Sequence, residues 1–75
     1  MNDNPIVTIG SRVTVEGASG TATVTIVGSA REMGLYRLLA SSPLAKALLG
    51  RRAGDEIQVH VAAGTFPCRI TAIEP

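Results

Sequence analysis

Tryptophan is absent, and Tyr36 and Phe66 are the only aromatic residues in 75. So few rings give a poor platform for stacking bases or sugars. Cys68 is the only cysteine and His60 the only histidine. One cysteine cannot close an internal disulfide, so the fold does not rely on an oxidising compartment. Two strong ligand types cannot complete a tetrahedral metal site without carboxylates, and nothing in the sequence places any beside them. No metal and no cofactor are expected. His60 reads as an exposed strand residue and Cys68 as a small buried hydrophobe.

Charge of one sign is also scarce. Seven basic and six acidic residues leave a formal charge of +1, whereas binding to a nucleic-acid backbone calls for a clearly basic face. Direct nucleic-acid contact is therefore expected to be weak or absent. No apolar run approaches the roughly 18 residues of a membrane span. Met1 to Pro5 is polar and lacks a charged-then-apolar leader pattern, and the cytoplasm is the expected location.

The acids Asp3, Glu16, Glu32, Asp55, Glu56 and Glu74 are scattered. Adjacent strand residues point to opposite faces, so Asp55 and Glu56 cannot share a proton. Gly17 to Gly20 lacks the lysine and following helix of a phosphate-cradling loop and reads as a hairpin turn. No catalytic constellation emerges, and the chain is read as a non-enzyme.

What the chain does have is aliphatic mass in alternating runs. Hydrophobic residues make up 45% of it, enough for a folded protein. A chain this short buries only about 60% of its unfolded surface, so its core supplies roughly 3–5 kcal/mol.

Arg12 to Glu16 alternates with period two, placing Val13 and Val15 on one face. Thr21 to Val27 alternates again, with Ala22, Val24 and Ile26 facing one way. The two runs form a hairpin across Gly17-Ala18-Ser19-Gly20. Gly28 to Gly34 is a polar loop, and Leu35 to Leu39 a short third strand. Ser42 is a good N-cap and Pro43 suits the first helical position, giving one helix over about 43–49. Leu44, Ala47 and Leu48 line its inner face, and Gly50 ends it in a left-handed conformation.

Asp55 to Val61 forms the next strand, with Ile57, Val59 and Val61 inward. Ala63-Gly64 turns the chain into a last strand, Thr65 to Ile73, carrying Cys68, Ile70 and Ala72 on one face. Pro67 within it implies an edge or a bulge. The expected order is β-β-β-α-β-β: an α+β, mostly β domain over residues 6–75, with one helix against an antiparallel sheet. Residues 1–5 form a flexible N-terminus. Lys46, Arg51 and Arg52 cluster at the helix C-terminus, where cations complement the dipole by about 0.3–1 kcal/mol each.

The segment Ser41-Ser42-Pro43-Leu44-Ala45-Lys46-Ala47-Leu48-Leu49-Gly50-Arg51-Arg52-Ala53-Gly54-Asp55 resembles a family signature. It is similar to the Ser-Pro-Leu-Ala-(basic)-Ala-Leu-Leu-Gly-(basic)-(basic)-x-Gly-Asp hallmark of the C-terminal domain of bacterial GreA/GreB transcription elongation factors. The likeness extends to Val7–Val15 as the opening strand, Thr25–Gly28 in the second strand and Thr65–Glu74 as the closing strand. It covers about residues 6–74.

The resemblance implies an FKBP-like fold, a bent antiparallel sheet around a short helix. It also implies docking on RNA polymerase near the entrance to the secondary channel, as a non-catalytic module regulating elongation. Ser41, Ser42, Pro43, Lys46, Arg51 and Arg52 are the residues expected to meet that partner. In full-length members an N-terminal coiled coil carries acids that stimulate transcript cleavage. This sequence starts at the globular domain, so docking without those acids is expected. Members often carry Asp where Ser41 stands here, which bears on affinity or partner choice.

The alternatives are a prolyl isomerase-type enzyme, which two aromatics are too few to furnish, and a self-associating domain or fragment of a longer factor. A monomer or weak homodimer is expected.

Overall fold

β-Branched residues at alternate positions fold into the strands of a five-stranded sheet with one short helix packed on it. A computed structural model describes residues 5–18, 20–61 and 64–74, with residues 60 and 61 described by backbone alone. The strands are β1 (Arg12–Gly17), β2 (Gly20–Val27), β3 (Arg37–Leu39), β4 (Glu56–Val61) and β5 (Gly64–Glu74). A 3-10 turn spans Ala30–Glu32, and helix α1 spans Pro43–Leu48. Sheet order is β3-β2-β1-β5-β4. The expected mostly-strand class with a single helix is found.

One pairing departs from the all-antiparallel expectation. β3 runs parallel to β2, pairing Thr25 with Arg37, Ile26 with Leu38 and Val27 with Leu39. The loop after β2 carries the 3-10 turn, and the chain returns beside β2 in the same direction. β3 also starts two residues later than expected, at Arg37. Tyr36 has φ +58, a left-handed conformation that breaks an extended run. Its carbonyl still accepts the Thr25 N–H at 2.9 Å, which holds the turn against β2.

Val13 and Val15 of β1, Val24 and Ile26 of β2, Ile57 of β4 and Ile70 of β5 meet Ala45 and Leu48 of the helix in one core. Ala22, expected on the same face, is exposed. It lies at the hairpin end of β2, beyond the helix's cover.

The last strand departs from simple alternation as well. Val15 pairs with Ile70, but Thr14 pairs with Ala72, so Thr71 is an inserted residue. Such a bulge reverses the inward parity beyond it. Ile73 therefore packs on the core and Ala72 is exposed. Pro67 sits one residue past the last β1–β5 pair, Gly17 with Cys68, where β5 keeps only β4 as a neighbour. The edge reading holds there, while the bulge lies elsewhere. Cys68 is half-buried rather than sealed in the core.

The opening segment is not one strand from Val7. Ile6 forms an isolated bridge with Arg52, and a turn at Ile9-Gly10 precedes β1. Gly10 has φ +99. Ser11, 2% exposed, secures the turn: its Oγ accepts the Thr8 N–H at 2.9 Å. Residues 1–4, Ser19 and Ala63, with the turn and terminus readings resting on them, lie outside the described residues, as do the side chains of His60 and Val61.

Candidate partner-binding site

Most of the segment from Ser41 to Asp55 is accounted for by local physics. The Ser42 Oγ accepts the Ala45 N–H at 3.3 Å, capping α1 as its residue type requires. Pro43 occupies the first helical position, where a missing N–H leaves no bond unmade. The inner face centres on Ala45 and Leu48, both 0% exposed, with Leu44 and Ala47 as half-buried flanks. The expected stripe of Leu44, Ala47 and Leu48 is thus rotated by about one position, because the sheet covers the helix from the Ala45 side.

Leu49 caps the helix, and Gly50 follows with φ +83. The Gly50 N–H donates to Val7 O at 2.9 Å, and the Val7 N–H donates to Arg51 O at 2.9 Å. These two bonds fasten the helix exit to the opening segment. Gly54, φ +95, donates to Ile70 O at 2.7 Å. The Asp55 Oδ2 accepts the Arg52 N–H at 2.8 Å, closing the turn before β4. Each glycine and the aspartate of the segment therefore has a structural duty.

What remains is exposed surface. Ser41, Pro43, Lys46, Arg51 and Arg52 are exposed, and the capping Ser42 is half-buried. The side chains of Lys46, Arg51 and Arg52 make no hydrogen bond or ion pair among the described residues. A helix from Pro43 to Leu48 is only about 9 Å long. Its polar start and its basic exit are therefore separated along the axis by less than the width of a standard interface.

Chemistry of other kinds finds little footing among the described residues. No three His, Cys, Asp or Glu side chains gather as a metal-binding group. The ion pairs Arg12–Glu74 at 3.4 Å and Arg69–Glu56 at 3.0 Å are surface pairs on the sheet's outer face. No helix among the described residues is long and apolar enough to cross a membrane. Sequence reasoning did not single out Arg12, Leu35, Tyr36 and Arg37, which together line a groove on that outer face. Assigning Leu35 and Tyr36 to a strand concealed them, and only the positive φ of Tyr36 brings them out.

Known proteins provide an independent view. The profile described as "Transcription elongation factor, GreA/GreB, C-term" matches residues 2–75. The transcription elongation factor GreA of Thermomicrobium roseum is 36% identical over 73 residues, covering 96% of this chain and 47% of that protein. That of Geobacillus kaustophilus is 41% identical over 76 residues, covering 96% and 48%. The chain spans about half the length of the curated relatives it matches.

Among solved structures, Thermus aquaticus Gfh1 superposes with a TM-score of 0.85 at 28% identity, over 96% of this chain and 50% of that one. A GreA/GreB elongation factor from Nitrosomonas europaea shares the fold, with a TM-score of 0.78 at 24% identity, over 99% of this chain and 64% of that one.

Proposed function

We propose, from the premise that this chain belongs to the GreA/GreB transcription elongation factor family and matches its C-terminal domain, that it is a non-catalytic docking module for RNA polymerase. The observation carrying this reading is the division of labour around α1. Buried and hydrogen-bonded positions explain the cap, the helix face, both glycines and Asp55. Ser41, Pro43, Lys46, Arg51 and Arg52 remain exposed, and the side chains of Lys46, Arg51 and Arg52 make no hydrogen bond or ion pair among the described residues.

Ser42 and Pro43 present a rigid corner at the helix start. Pro43 lacks a donor and has a fixed φ, so this corner loses little entropy when a partner covers it. Lys46, Arg51 and Arg52 add positive charge at the other end, which steers encounter with an acidic partner surface and raises the on-rate more than the affinity. Ser41 supplies a neutral hydroxyl rather than a carboxylate, so the helix start brings no negative charge to the contact. The module acts in the cytoplasm beside the transcription machinery, and its contact with nucleic acid is weak or absent.

The test is a titration of the chain against core RNA polymerase, followed by displacement with a GreA protein. Saturable binding that GreA displaces is expected. No saturation at concentrations of tens of micromolar would remove the proposal.

A further inference from the structure

Strand β2 is longer than the strand beside it. β3 pairs only with Thr25, Ile26 and Val27, so residues 20–24 have no strand on that side among the described residues. Tyr36 is the cause, because its φ of +58 turns the chain off the edge of β2 just before Arg37.

Alternate residues of a strand direct their backbone N–H and C=O groups to opposite neighbours. Ile26 donates to Ser11 O at 3.0 Å and accepts the Gly10 N–H at 2.8 Å, both on the β1 side. Thr25 donates to Tyr36 O at 2.9 Å, on the β3 side. The register with β1 runs unbroken from Thr25 to Gly20, so Thr21 and Thr23 turn their backbone groups outward as Thr25 does. Two N–H and two C=O groups thus form an open edge, along which Gly20 to Thr23 are exposed. Edges are commonly guarded by charge, proline or a bulge. The segment Gly20-Thr21-Ala22-Thr23-Val24 has none of these.

An open groove of about 570 Å³ runs beside this edge, lined in part by Thr21, Ala22, Thr23, Tyr36 and Arg37. No carboxylate lines it. Arg12, on the same face, shares its charge with Glu74 at 3.4 Å. Arg37 is exposed, donates to the Glu32 backbone carbonyl at 2.7 Å and has no carboxylate partner among the described residues. Arg37 is therefore the group that selects by charge.

These features choose among occupants. A helix spends its own N–H and C=O groups internally and leaves the four outward ones unmet. A second copy is obstructed. Antiparallel self-pairing of Thr21 with Thr23 would bring the copy's Gly20 opposite Val24, the level at which Tyr36 already stands, one residue before the partner of Thr25. An extended segment that bends away short of Tyr36 meets no such obstacle.

The side chains of that segment follow from the register. Residues paired across strands share a face. A segment residue opposite Thr23 continues the line of β3 on the face that carries Arg37, two positions and roughly 7 Å before it. A carboxylate there meets the guanidinium. The next residue lies opposite Ala22, which is exposed beyond the helix's cover, so an apolar side chain is favoured. β4, the sheet's other outer strand, carries Glu56 and no arginine or lysine, so charge directs an acidic segment to β2.

We infer that the edge formed by residues 20–24 docks an extended partner segment of alternating acidic and apolar residues. It adds antiparallel to β2 as an extra strand, bonds Thr21 and Thr23 through its backbone, and sets a carboxylate against Arg37.

The experiment is an amide-resolved NMR titration of the full chain with three synthetic peptides. One alternates glutamate and valine, the second has lysine for glutamate, and the third is the acidic peptide N-methylated at each glutamate. Saturable shifts at Thr21, Thr23, Tyr36 and Arg37 are expected with the first alone, with slowed exchange of the Thr21 and Thr23 amide protons. Arg37→Glu should weaken that binding at least about tenfold. Thr23→Pro removes an outward N–H that no bond to β1 uses, so it keeps the ladder and should weaken binding by at least as much. Absence of saturation, equal binding of the lysine or N-methylated peptide, shifts centred on β4, shifts at the same amides on concentrating the chain alone, or undiminished affinity in a folded Arg37→Glu protein would each overturn the inference.

Discussion

Replacing Ser42 by alanine removes a single oxygen, and its consequence can be worked from one hydrogen bond. The Ser42 Oγ accepts the Ala45 N–H at 3.3 Å, the one side-chain acceptor that donor has among the described residues. Loss of such a cap costs about 1 kcal/mol within a range of 0.5–2, and the long distance favours the lower half. The helix it starts has only six residues, yet it sets Ala45 and Leu48, both 0% exposed, into the centre of the core. Against a total of roughly 3–5 kcal/mol, even the lower half of that range is a sizeable fraction. For a domain of this size each kcal/mol lowers the melting temperature by about 4–8 °C. Ser42→Asp should retain nearly full stability, since aspartate both caps and complements the helix dipole. Ser42→Gly should lose only a few tenths of a kcal/mol relative to serine. Urea denaturation with an unchanged slope would measure the series as serine ≈ aspartate > glycine > alanine. Alanine equal to serine, or glycine below alanine, would refute the assignment of Ser42 as a cap.

Other residues carry their own tests. Gly50→Ala should cost about 1–2 kcal/mol by thermal denaturation, because φ is +83 and nothing lies within 4 Å of the added methyl to add a clash. Gly34→Ala should be near neutral, since its methyl meets only the flexible Arg37 side chain at 3.7 Å. Ile73→Ala should cost roughly 1–2 kcal/mol while Ala72→Thr changes stability by less than about 0.5. Alternation read without the Thr71 bulge gives the opposite order, so chemical denaturation of the two variants decides which face is inward.

The physics that made the fold legible is local. Val13, Val15, Val24 and Ile26 alternate with polar residues, and their burial follows. Ser42-Pro43 and Gly50 mark helix ends whose capping and backbone requirements are written in the residue types themselves. The features that escaped depend on tertiary pairing. A bulge at Thr71 appears only once β1 and β5 are in register. The parallel run of β3 depends on the path of the preceding loop, and no period in Leu35 to Leu39 specifies it. The helix stripe shifted to Ala45 and Leu48 because the direction from which the sheet covers a short helix is not encoded in its own spacing. At the candidate site, residue types located the corner at Ser42 and the cations near it. The groove beside Tyr36 was hidden because a left-handed tyrosine has no sequence signature.

The docking proposal turns on Pro43, where stability and binding can be separated. Pro43 is exposed at the first helical position, so Pro43→Ala acts mainly by loosening the unfolded chain and should cost less than about 1 kcal/mol. Melting temperature and affinity for core RNA polymerase, measured on the same Pro43→Ala sample, should give a nearly unchanged transition and binding weakened several-fold. A folded variant that binds polymerase with undiminished affinity would contradict the account and return Pro43 to a residue that merely starts a helix.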